Sequence, residues 1–173
     1  MTASDGRQGQ GAGTPVPRSA SSVPAAGLPD YAELRCVSTF SFLVGASQPE
    51  ELVERAHKQG YRALALTDEC SVAGVVRAHV AAKKIGLKLL IGSQFSVAVP
   101  EPSGSDAPGP FSLGMLACNL DGYGNLCEFI TKLRRASEKG TYHLDLSDIA
   151  SDKLADCVVV ASPVRGSSDA QLV

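Results

Sequence analysis

Three short polar clusters follow apolar stretches in the first half of the chain. They are residues 35–38 (Arg-Cys-Val-Ser), 67–70 (Thr-Asp-Glu-Cys) and 92–94 (Gly-Ser-Gln). In barrels of parallel strands the carboxyl ends of the strands carry the chemistry, and a hydrolytic metal centre there needs His, Asp or Glu at several ends. Only Asp68 and Glu69 are suitable ligands, and they are adjacent. The architecture is that of an enzyme, but the residues predict that this part of it does not catalyse.

Asp68 and Glu69 have two interpretations. They could form a residual metal or acid–base pair, or they could be ion-paired or solvated residues at the end of a loop, and we favour the second interpretation. The histidines fall on predicted helices or a surface segment rather than at strand ends: His57, His79 and His143. We expect them to be ordinary side chains, and we assign no catalytic residue.

The five cysteines are an odd number without C-x-x-C spacing, which argues against a disulfide framework or a zinc knuckle. Cys36 and Cys70 lie near predicted strand ends, where a nucleophile could act, but no His accompanies either one. We expect the cysteines to be reduced thiols that pack as small apolar side chains.

The composition is that of one ordinary domain, with 173 residues, 44% of them hydrophobic, and with 16 basic and 18 acidic residues. This balance is not typical of a dedicated nucleic-acid-binding domain, although a domain of a larger DNA enzyme can be neutral. Two basic clusters are interpreted as solvated helix faces rather than DNA contacts: Lys83, Lys84 and Lys88, and Lys132, Arg134 and Arg135. No apolar run reaches about 18 residues and no secretory signal is visible, which favours a cytoplasmic protein without membrane contact.

The chain divides into a leader and one folded domain. Residues 1–29 carry almost no large apolar side chains, which predicts a disordered leader, and the domain extends over 30–173. A strand is predicted at 34–37. The helix that follows it should begin at a capping box over 47–50 and end at Gly60.

A continuous apolar run at 63–66 predicts a strand that is covered on both faces. Ser71 should cap the next helix, and Gly86 should end it. The apolar positions of that helix are Val72, Val75, Val76 and Val80.

Two further strands are predicted at 87–91 and 95–99, before a turn-rich surface loop at 100–110. The loop could be a linker, but we interpret it as an insertion because the α/β pattern resumes at once. A strand at 111–119 and a last strand at 157–161 enclose a helix with apolar positions Leu126, Phe129, Ile130 and Leu133. The strand–helix–strand–helix–strand order before the loop predicts an α/β fold with parallel strands. A barrel of this kind needs about 200 residues, so we expect the fold to be truncated before closure.

Four segments resemble motifs of one protein family: residues 42–53 (FLVGASQPEELV), 63–68 (ALALTD), 91–94 (IGSQ) and 121–126 (DGYGNL). Over about residues 31–165 the chain resembles the N-terminal PHP (polymerase and histidinol phosphatase) domain of bacterial DNA polymerase III alpha subunits. Within that family, residues 67–71 and 73–79 look like the error-prone, damage-inducible branch. The resemblance implies a distorted (β/α) barrel of the PHP type.

The resemblance also implies where a metal site would lie. The family's His-x-His motif matches Arg35 and Val37, its Asp-His motif matches Asp68 and Glu69, and its metal-binding Glu matches Gln94. Arg has a fixed positive charge, Val has no donor atom and Gln is a weak neutral ligand. These five positions therefore resemble a degenerate metal site that holds no metal. As a hypothesis, Arg35 pairs with Asp68 or Glu69 and holds the strand ends together.

The function that the resemblance implies is the N-terminal part of an error-prone DNA polymerase, which acts in translesion synthesis, DNA replication and repair. The polymerase carboxylates of that family lie in a later palm domain, so this chain alone should be structural and inactive. It needs no cofactor of its own, whereas the parent polymerase would use Mg. The implied partners are the polymerase core of the same protein, DNA through that core, and other subunits of a mutagenesis complex.

Two alternatives remain open. One is a metal-dependent phosphoesterase or 3'–5' exonuclease of the PHP family, against which the missing His-x-His motif argues. The other is a truncated gene product without function, which the small number of strands favours because an open barrel leaves an exposed sheet edge.

Overall fold

A computed structural model describes residues 30–97, 111–149 and 154–163 of the chain. The predicted leader at 1–29 and the predicted surface loop at 100–110 lie outside the described residues. The elements are β1 (Ala32–Cys36), α1 (Pro49–Lys58), β2 (Ala63–Leu66), α2 (Val75–Ile85), β3 (Lys88–Val97), β4 (Phe111–Ala117), α3 (Leu120–Ala136), a 3-10 turn (Leu146–Asp148) and β5 (Cys157–Pro163).

The five strands form one sheet in the order β1-β2-β3-β4-β5. β1, β2 and the first part of β3 pair in parallel, whereas β3, β4 and β5 pair antiparallel. The sheet curls into a half-barrel, which confirms the predicted α/β class and partial barrel. The parallel pairing predicted for the first three strands is confirmed, and the later strands β4 and β5 pair antiparallel.

β3 is the strand that joins the two halves of the sheet. Its residues 88–91 pair with β2, and its residues 92–97 pair with β4. The prediction of two strands at 87–91 and 95–99 was therefore wrong, because the polar residues between them continue the ladder instead of forming a turn. Gly92 is required at the change of partner, since a Cβ there would lie 2.5 Å from the Met115 carbonyl oxygen.

Two apolar cores lie on the sheet. β2 is buried at all four residues, as its unbroken apolar run predicts, and α1 and α2 pack over it through Val53, Leu64 and Ala78. α3 packs over β3 and β4, where the rings of Phe95 and Phe129 meet edge to face with centroids 5.4 Å apart. Because β2 is buried at every residue, it fixes the position of Asp68 and Glu69, which follow it.

The helix ends largely follow the sequence signals. In α1, Glu51 Oε2 accepts a hydrogen bond from the Gln48 amide at 2.9 Å, so the capping box lies one residue later than predicted. Gly60 follows the helix with φ of 78°, as predicted for a residue in the left-handed region. α2 begins at Val75, and Ser71 instead accepts a hydrogen bond from the Ala73 amide in the preceding turn.

The predicted apolar face of α2 was partly wrong. Val76 and Val80 are 71% and 48% exposed, and the helix instead buries Val75, Ala78 and Ala82. Small alanines allow α2 to approach the sheet closely, and this contact overrides the preference for burying the larger valines. In the part of the chain that the structure describes, no helix has the length and apolar character needed to traverse a bilayer.

Candidate functional site: a hydrogen-bonded cluster at the strand ends

The five positions singled out in the sequence lie on, or directly after, three neighbouring strands. Arg35 lies in β1 and Val37 directly after it, Asp68 and Glu69 follow β2, and Gln94 lies in β3. A parallel bridge pairs Glu69 with Gln94. The structure joins Arg35, Gln94 and Glu69 through hydrogen bonds, whereas Asp68 turns toward the loop after β1 and Val37 is a half-buried apolar residue.

Asp68 is 1% exposed, and hydroxyl and amide donors surround its carboxylate. Oδ1 accepts hydrogen bonds from the Ser38 amide at 2.7 Å and from Ser41 Oγ at 2.8 Å, and Oδ2 accepts one from Ser38 Oγ at 2.8 Å. A buried carboxylate is tolerated when such donors replace its hydration. The hypothesis of an ion pair between Arg35 and Asp68 was wrong, because serines of the β1–α1 loop occupy both oxygens.

Glu69 accepts hydrogen bonds on both carboxylate oxygens. Oε2 accepts from Gln94 Nε2 at 2.9 Å, and Oε1 accepts from the Ser96 amide at 3.2 Å and from Ser96 Oγ at 3.1 Å. The Tyr142 hydroxyl also donates to Oε1. Burial and the bond to Glu69 raise the pKa of Tyr142 to about 12, so the phenol is a neutral donor at physiological pH.

Gln94 lies between the guanidinium of Arg35 and the carboxylate of Glu69. Arg35 Nη2 donates to Gln94 Oε1 at 3.3 Å and to Ser112 Oγ at 3.0 Å. The amide of Gln94 thus presents its oxygen to the cation and its nitrogen to the anion, and it connects them without a direct ion pair. The second form of the hypothesis, a direct pair between Arg35 and Glu69, was also wrong.

Arg134 and Tyr142 belong to the cluster, and the sequence analysis missed them. Arg134 donates to the carbonyl oxygens of Glu69 at 3.4 Å and Cys70 at 3.3 Å, and also to those of Gly140 and Thr141. Its guanidinium carbon lies 5.5 Å from the centre of the Tyr142 ring. The interpretation of Arg134 as part of a solvated basic face was wrong. No local pattern distinguishes it, because Glu69 and Cys70, the two partners that tie it to the cluster, lie 65 and 64 residues away in the sequence.

The remaining candidate groups lie elsewhere or are unreactive. His57, His79 and His143 are exposed and lie outside the cluster. Burial raises the pKa values of the Cys36 and Cys70 thiols to about 11, which makes them poor nucleophiles at neutral pH. Among residues 30–97, 111–149 and 154–163 there is no group of three or more His, Cys, Asp or Glu side chains that could hold a metal ion.

The sheet is curled and carries two carboxylates, those of Asp68 and Glu69, whose oxygens all accept hydrogen bonds. This architecture defines the chain as a barrel-type α/β domain. A family model described as the PHP domain matches residues 33–166, so the chain belongs to the PHP domain family.

Curated proteins of high similarity share one name. A protein from Ralstonia nicotianae called "Error-prone DNA polymerase" is 61% identical over 127 residues, which are 72% of this chain and 11% of that protein. A protein of the same name from Dechloromonas aromatica is 52% identical over 147 residues, which are 83% of this chain and 13% of that protein. The chain thus spans about an eighth of the length of these relatives.

The similarity to solved structures is more distant. An amidohydrolase from Chromobacterium violaceum, solved with bound sulfate and no metal, is 25% identical with a TM-score of 0.48, covering 61% of this chain and 34% of that chain.

Proposed function

We propose that this chain is the N-terminal PHP-domain portion of an error-prone DNA polymerase that carries out translesion synthesis in damage-induced mutagenesis, DNA replication and repair. The observation that carries the proposal is the 61% identity to a protein so named, over a segment that makes up 11% of that protein. In this proposal the protein is cytoplasmic. Its partners are the polymerase core of the same polypeptide, DNA through that core, and further subunits of a mutagenesis complex.

The role of the chain within that enzyme is structural. Arg35, Val37, Asp68, Glu69 and Gln94 are degenerate metal-site positions, because the donor set does not suit a divalent cation. Asp68 and Glu69 are the two carboxylates, and each of their oxygens already accepts a hydrogen bond. Gln94 turns an N–H rather than a lone pair toward Glu69, and the fixed charge of Arg35 would repel an incoming cation.

In this chain hydrogen bonds therefore hold three neighbouring strands together, which is the role that a metal would otherwise have. The chain supplies no catalytic residue, and the Mg that a polymerase centre needs belongs to residues outside it. A PHP-family phosphoesterase or 3'–5' exonuclease is disfavoured for the same reason, since neither hydrolysis can proceed without an activated water.

Primer extension tests the proposal. The product of the whole reading frame should extend a primer across a template lesion such as an abasic site, in a Mg-dependent reaction, whereas the 173-residue chain alone should extend nothing. Hydrolysis of a phosphodiester or of a DNA 3' end by the 173-residue chain, with stoichiometric Mn or Zn, would contradict it and support the alternative. A native gene product of only 17.9 kDa would also contradict it.

A further inference from the structure

The loop between β1 and α1 exposes three consecutive apolar side chains. Phe42, Leu43 and Val44, here called the FLV tip, are 84%, 90% and 66% exposed. Single exposed apolar residues are ordinary, whereas a contiguous exposed apolar patch of a few hundred Å² is a usual mark of an interaction site. The tip projects from the same loop whose serines bind Asp68.

The loop beneath the FLV tip is closed by hydrogen bonds and by a tight backbone turn. The amides of Val44 and Gly45 donate to the Ser41 carbonyl oxygen at 3.0 and 2.9 Å, and Ser41 Oγ donates to Asp68 Oδ1 at 2.8 Å. A Cβ at Gly45 would lie 1.9 Å from the Ser38 carbonyl oxygen, so the turn closes only with glycine there. An apolar tip held in one conformation loses little entropy when it binds.

Leu43 has a backbone conformation that leucine disfavours. Its φ is 63°, in the left-handed region where Gly, Asn and Asp are the usual residues. The chain thus holds a large apolar residue in a strained position and buries almost none of it. Such strain clusters at binding and switch sites, where the position of the side chain matters more than its local stability.

We infer that the FLV tip docks on an apolar surface of the polymerase core of the same polypeptide. This inference rests on the proposed function. Residues 39–48 contain no charged side chain, so the tip does not recognise the phosphates of DNA.

The size of the FLV tip favours a partner in the same polypeptide. Three such side chains bury at most about 500 Å² of this chain's own surface, whereas a stable complex of separate chains typically buries about 800 Å² on each partner. A covalently linked core is present at an effective concentration in the millimolar range, so a small patch is sufficient. The aligned 127 residues are 11% of the Ralstonia nicotianae relative, which leaves ample chain for such a core.

Hydroxyl-radical footprinting with mass spectrometry tests this inference on the product of the whole reading frame and on the 173-residue chain. Oxidation of Phe42 and Leu43 should fall about tenfold in the long product, because side chains at an interface core lose nearly all contact with water. Equal oxidation of the tip in the two proteins would overturn the inference. Protection that grows with the concentration of the 173-residue chain would also overturn it, in favour of a second copy.

A variant and its control sharpen the test. Leu43→Asn should leave the 173-residue chain at least as stable, because Asn tolerates a positive φ, yet it should remove the protection of Phe42 in the long product. Leu120→Asn is the control, since Leu120 is 81% exposed at the start of α3 and should not affect Phe42. Full protection of Phe42 in the Leu43 variant would contradict the inference. The size of the native gene product and the primer-extension assay test the proposed function independently of this footprinting experiment.

Discussion

Gln94→Glu is the substitution that best tests the hydrogen-bonded cluster. In the native chain Gln94 Nε2 donates to Glu69 Oε2 at 2.9 Å, and Gln94 Oε1 accepts from Arg35 at 3.3 Å. A glutamate would retain the contact with Arg35 but would place a second carboxylate oxygen against Glu69. The change is nearly isosteric, so its effect reports on charge and hydrogen bonding rather than on packing.

The expected destabilisation follows from three contributions. Loss of a hydrogen bond to a charged acceptor costs about 1.5 kcal/mol or more. Two like charges about 4 Å apart repel by about 1 kcal/mol in water and about 4 kcal/mol at a protein surface, and the half-buried position of Glu69 lies between these limits. The new glutamate would also pair more strongly with the exposed Arg35, which offsets at most about 1 kcal/mol of this destabilisation. The net expectation is a loss of about 1.5–4.5 kcal/mol.

Urea denaturation of the 173-residue chain, followed by circular dichroism, measures this loss. Gln94→Met is the matched control, because it removes the hydrogen bonds of the amide without adding charge and should cost less than the glutamate. Raising the salt concentration from about 0.05 to 0.5 M should reduce the deficit of the glutamate variant by screening, and it should leave the methionine variant unchanged. A glutamate variant as stable as the native chain at low salt would refute the role assigned to Gln94.

Two further predictions concern the buried hydroxyl and the thiols. Tyr142→Phe should lower the free energy of unfolding by about 1–2 kcal/mol, because it leaves Glu69 short of a donor. The pKa of Tyr142 in the folded chain is about 12, above the ordinary 10, so this contribution should be complete below pH 10 and lost as the pH rises through 12. The native chain and the variant should therefore converge in stability over that window, and a constant difference would refute the assignment. Iodoacetamide at pH 7.5 should label the exposed Cys118 at least about a hundredfold faster than Cys36 or Cys70, because few of the buried thiols ionise. Comparable labelling rates, measured by peptide mapping, would contradict the packing role of Cys36 and Cys70.

The fold was predictable where a local pattern had one physical interpretation. The unbroken apolar run of β2 could only be a strand covered on both faces, and the structure buries all four residues. β3 was divided into two strands because Gly92 and the polar residues after it look like a turn. Only the pairing with both β2 and β4 shows that the strand continues across them.

The sequence singled out residues that lie near one another in the structure, but it did not predict how they bond. The pattern of apolar and polar segments placed Arg35, Glu69 and Gln94 at neighbouring strand ends; the structure joins them by hydrogen bonds, but Gln94 lies inside β3 rather than at its end. Whether Arg35 contacts a carboxylate or an amide depends on side-chain lengths and directions that spacing does not encode. Tyr142 and Arg134 come from the last third of the chain, and only the packing of α3 on the sheet brings them to Glu69.

Titration of the 173-residue chain with Mn²⁺ in an isothermal calorimeter measures whether Asp68 and Glu69 can still bind a metal. We expect no saturable binding up to about millimolar Mn²⁺, because hydrogen-bond donors occupy the oxygens of Asp68 and Glu69 and Gln94 provides no carboxylate. We also expect that Mn²⁺ leaves the unfolding midpoint in urea unchanged. Stoichiometric binding that raises this midpoint, and that Asp68→Asn abolishes, would contradict the claim that hydrogen bonds have replaced a metal at these strand ends.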